Sequence, residues 1–101
     1  MKIKIPQNCS ITDKTVLQLK KQIKYLINNY DERYKKEYKI YLYSNFLKIN
    51  YKNHNFNITL VEYNNELFWY IKPFYNNYLL IKYVNVECFD IILLIIQSII
   101  P

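Results

Sequence analysis

The sequence contains no glycine and no alanine. Without glycine there is no phosphate-cradling P-loop and no dinucleotide fingerprint, since both need backbone that only a missing side chain lets close in on a phosphate. The RNA-recognition consensus, with its glycine after a basic residue, is excluded too. Backbone positions with positive φ must then fall to other residues, usually Asn or Asp. The pairs Asn28-Asn29, Asn64-Asn65 and Asn76-Asn77 stand where such turns are expected.

Other scarcities remove further chemistry. Arg33 is the single arginine, so bidentate recognition of phosphates or base edges has almost no donor. His54 is the single histidine and sits in a polar, turn-like run, with no neighbour at metal-ligand or triad spacing. Cys9 and Cys88 form neither a disulfide framework nor a zinc motif, and they read as free thiols in a reducing compartment. Glu62 and Glu66 flank one predicted hairpin turn and could approach each other, but a working pair needs a cleft that shifts their pKa values apart, so they are expected to keep the turn soluble. No catalytic residue, metal ligand or cofactor site is expected, and the chain reads as a non-enzyme. The longest strongly apolar run, Ile91–Ile96, is too short to cross a bilayer. The opening "MKIKIP" lacks the apolar stretch of a secretory leader, which places the protein in the cytoplasm by expectation.

What is present is a chain of 101 residues, 51% hydrophobic, with a formal net charge of +6. That length and apolar content predict one domain over residues 1–101 with a single core and argue against disorder. Ile, Lys, Asn and Tyr together exceed half the residues. Their codons are AT-rich, which points to a strongly AT-rich genome.

The hydrophobic period changes along the chain. Lys2–Ile5 alternates and stops at Pro6, the pattern of a short strand. From Asp13 to about Asn29, Val16, Leu19, Ile23, Leu26, Ile27 and Tyr30 recur at helical spacing, with Lys14, Lys20, Lys21, Lys24, Gln18, Gln22 and Asn28 on or near the other side. Ser10 and Thr12 are candidate N-caps, and Asp13 suits the helix dipole. After Lys36 the period becomes two, and five strands are predicted: Tyr38–Tyr43, Phe46–Tyr51, Phe56–Val61, Glu66–Lys72 and Tyr78–Val84. Pro73 is expected to end the fourth. The last segment returns to helical spacing with Phe89, Ile92, Leu93 and Ile96 on one face and Ile91, Leu94 and Ile95 on the other, so it should be a helix that is buried or docked, with a β-strand as the alternative because isoleucine favours strands. The predicted fold class is α+β: a five- or six-stranded, largely antiparallel meander with an N-terminal amphipathic helix and a C-terminal apolar helix, in the order β-α-β-β-β-β-β-α.

Two surfaces follow. Tyr41, Tyr43, Phe68, Trp69 and Tyr70 crowd the sheet half, and aromatics on both sides of a strand imply that some face solvent, where they serve as anchors for a protein partner. The helix lysines Lys14, Lys20, Lys21 and Lys24, with the sheet tyrosines, offer the alternative of a basic nucleic-acid-binding module. The apolar C-terminal helix could also join two copies into a homodimer, and no membrane partner is expected. In size, charge and composition the chain resembles the small proteins of phages and other mobile elements, many of them anti-defence inhibitors such as anti-CRISPR proteins. The resemblance covers no residue pattern. It implies a protein-binding inhibitor or adaptor that acts by stoichiometric binding to a host nucleic-acid-processing complex.

Overall fold

A computed structural model describes residues 4–29, 37–85 and 89–100. Thr12 caps the first helix, α1 (Asp13–Asn29). Its hydroxyl accepts the Thr15 amide at 3.3 Å, and the Thr15 hydroxyl accepts the Thr12 amide at 2.9 Å, so two amides that the first turn leaves open are satisfied reciprocally. Five strands follow: β1 (Tyr38–Leu42), β2 (Leu47–Tyr51), β3 (His54–Tyr63), β4 (Glu66–Phe74) and β5 (Asn77–Lys82). The chain closes with α2 (Phe89–Ile99). The sheet order β1-β2-β3-β4-β5, antiparallel throughout, is the meander that short turns impose.

The hairpins set the register. Lys52-Asn53 and Asn64-Asn65 are two-residue turns with positive φ at both positions (49° and 65°, then 49° and 62°), the type I′ geometry that matches strand twist. The third hairpin turns at Tyr75-Asn76, one residue earlier than Asn76-Asn77, with positive φ at Tyr75. β4 also continues past the expected stop. Pro73, following a cis peptide bond, lies inside β4 where the pairing with β5 is irregular between Ile71 and Phe74, a place where a missing N–H costs no ladder bond. The predicted strand at Lys2–Ile5 falls partly on residues that are not described. Met1–Ile3 lie outside the described residues, and Lys4 and Ile5 belong to no strand.

Side-chain alternation sorts the sheet into two faces. The inner face carries Leu47, Ile49, Phe56, Ile58, Leu60, Trp69 and Ile71, packed in one cluster with Leu19 and Leu26 of α1 and with Ile92, Leu93 and Ile96 of α2. Both helices therefore cover the same face. Tyr38 and Tyr51 stack within that core at 4.7 Å, and the Tyr38 hydroxyl accepts Gln97 Nε2, tying α2 to the sheet. Gln22, placed by the sequence on the polar side of α1, is fully buried because it lies between Leu19 and Leu26 on the same stripe.

Candidate functional site

The outer face of the sheet has two halves, and the N-terminal segment makes the division. Ser10 exchanges two backbone hydrogen bonds with Glu62, at 3.0 and 2.8 Å, beyond the end of β2. From there the preceding residues reach back to Tyr70, whose hydroxyl donates to the Lys4 carbonyl at 2.8 Å. Phe46, Thr59, Val61 and Tyr70 on this half are buried despite facing away from both helices. Burial raises the Tyr70 hydroxyl above the ordinary tyrosine value, with the nearby Tyr78 and Cys9 adding to the effect. Burial also raises the Cys9 thiol, so Cys9 stays protonated and makes a poor nucleophile. Cys9 is a free thiol, and Cys88 lies outside the described residues.

This arrangement corrects the expected aromatic anchors. Trp69 is 0% exposed and belongs to the inner core, and Tyr70 is 1% exposed beneath the N-terminal segment. Neither can be an anchor, because a hot-spot ring must be accessible before binding. Phe68 is half-buried against the edge of the Tyr63 ring. Tyr43 stacks on Phe46 at 4.6 Å and keeps 37% exposure, while Tyr41 keeps 49%. Lys14, Lys20, Lys21 and Lys24 are all exposed on α1, across the molecule from the outer face, so the helix lysines and sheet tyrosines do not form one surface.

The open half of the outer face is polar. Lys39, Asn50 and Asn55 make one cross-strand row, with Asn50 Nδ2 donating to Asn55 Oδ1 at 2.9 Å. Tyr41, Lys48, Asn57 and Lys72 make the next. The sequence marks these residues as outward by their alternation, but only the hairpin registers align them.

A second exposed surface lies on α2. Ile92, Leu93 and Ile96 turn inward, while Ile91 and Leu94 stay 49% and 62% exposed and Ile95 half-exposed. Leu42, at the edge of the sheet, adds another exposed apolar side chain.

Glu62 and Glu66 stand on opposite faces, because Tyr63 pairs with Glu66 and Glu62 with Leu67. Glu62 accepts from the Thr12 hydroxyl, and Glu66 meets Lys82 at 3.5 Å. His54 opens β3 as an exposed residue beside a shallow pocket that also involves Phe56, Pro73, Tyr75 and Ile99. No three His, Cys, Asp or Glu residues among those described converge as metal ligands, and no described helix is long and apolar enough to cross a membrane. Comparison with known proteins finds no matching family model, no similar curated protein and no similar solved structure.

Proposed function

We propose that this protein is a non-enzymatic inhibitor or adaptor that attaches stoichiometrically to a protein partner through the outward face of α2. The observation that carries this reading is the exposure of Ile91 and Leu94 on a helix whose opposite side is fully in the core. Side chains at i and i+3 on one helix face are the anchors of helix-in-groove recognition, and large apolar side chains left together in water mark interaction surfaces. The small size, basic charge and AT-biased composition fit a phage or mobile-element protein with an anti-defence target. A second copy of this chain is the weaker occupant, because a net charge of +6 opposes self-association.

The paired substitution Ile91→Lys and Leu94→Lys tests the reading. Tagged protein captures a defined partner from the native host, the purified pair reconstitutes at one-to-one stoichiometry, and the variant loses this complex while keeping the wild-type far-UV spectrum. Light scattering is expected to show a monomer in isolation. A wild-type dimer dispersed by the same substitutions, or a partner complex indifferent to them, would overturn the assignment.

A further inference from the structure

We propose that the open half of the outer sheet face is a platform for single-stranded nucleic acid, independent of the α2 surface. Tyr41, Lys48, Asn57 and Lys72 stand side by side on β1 to β4, pointing away from both helices. At about 4.8 Å between strands the row spans roughly 14 Å, and the parallel row containing Lys39 lies about 7 Å away along the strands. These positions carry three ammonium groups and no carboxylate. Lys82, on the same face, is held by Glu66 at the far side and adds no net charge there.

The partner chemistry follows from what alternates with the lysines. The Tyr41 ring keeps 49% exposure, surface on which a base can stack, and stacking is tolerant of sequence because every base has such a face. Asparagine amides on Asn50, Asn55 and Asn57 offer donors and acceptors to bases and phosphates. The rows lie on a sheet rather than on a projecting helix, so no element is presented here to enter a duplex groove, whereas unstacked bases can lie across it. With lysine as the cation of these rows, phosphates are met as point charges and little sequence preference is expected. An acidic protein surface would satisfy the lysines but would leave the exposed ring and amides without their counterpart.

Fluorescence anisotropy with a labelled twelve-residue oligo-dT tests this, with a duplex of equal length and poly-glutamate as competitors. Wild-type protein is expected to bind the single strand in preference to the duplex. Log affinity should fall with log salt at a slope of about −2, from three lysines at about −0.7 each. The paired substitution Lys48→Gln and Lys72→Gln should weaken binding about tenfold or more and flatten the slope. Tyr41→Ala should cost at least about fivefold, with Tyr41→Phe retaining affinity because the stacking face is kept. Far-UV spectra confirm that each variant is folded. The Ile91 and Leu94 variant should bind oligo-dT as wild type does, which separates this surface from the protein-binding one. Absence of oligonucleotide binding, displacement by poly-glutamate at equal charge concentration, or loss on substituting Lys14, Lys20, Lys21 and Lys24 with no loss from the sheet variants would overturn the proposal.

Discussion

Tyr70 shows how a single residue can join distant segments. Its ring is buried, and its hydroxyl closes the N-terminal segment onto the outer face through the Lys4 carbonyl. Tyr70→Phe is expected to lower stability by about 1 kcal/mol, the net worth of a typical intramolecular hydrogen bond, as measured by urea denaturation. The pH dependence has a definite sign. The folded-state pKa is raised above the ordinary 10.0, so this contribution is complete below that value. It declines as pH climbs from there through the raised folded value, because the unfolded chain ionises first. Tyr70→Phe should remove that part of the alkaline loss. The sequence shows Tyr70 only as an outward residue of a predicted strand. Its hydroxyl partner is the Lys4 carbonyl, 66 positions away, which no local pattern announces.

At the scale of elements, the turns carry the register. Asn65 holds φ of 62° in a type I′ turn, a conformation glycine adopts without a steric penalty. Asn65→Gly is expected to stabilise the protein by roughly 0.5 kcal/mol, and Asn65→Val to destabilise it by 1 kcal/mol or more, read as shifts of the urea midpoint. The Asn64-Asn65 turn was readable because a glycine-free chain has few other residues for such a site. The polar run around His54 also marked a turn, but nothing about a lysine signals φ of 49° at Lys52; the two-residue spacing between Tyr51 and His54 demands it. Both helices were readable from their periods, and the inward and outward sides of α2 divide as its spacing indicates. The early end assigned to β4 at Pro73 failed because a proline is tolerated where pairing is already irregular.

For the whole molecule, one cluster holds residues from both helices and all five strands, or packs them directly against it. A core shared in this way should come apart as a unit. Trp69 is the single tryptophan and is fully buried, so its emission reports that core. Fluorescence of Trp69 and far-UV ellipticity are expected to show coincident urea transitions, with emission moving to the red on unfolding. A fluorescence transition that precedes the loss of ellipticity would contradict a single shared core. Trp69→Ala should cost about 3–5 kcal/mol, a core truncation rather than the loss of a binding anchor.

By itself the sequence determined the α+β class and the antiparallel meander. Both rest on local matters: a repeat of two or 3.6, and turn residues at short spacing. Tertiary structure alone decided which outward side chains meet water. Trp69 and Tyr70 are adjacent in the chain and point to opposite faces, yet both are buried, one by the helices and one by the N-terminal segment. Exposure depends on what other parts of the chain lay over a residue, and alternation along a strand carries no record of that.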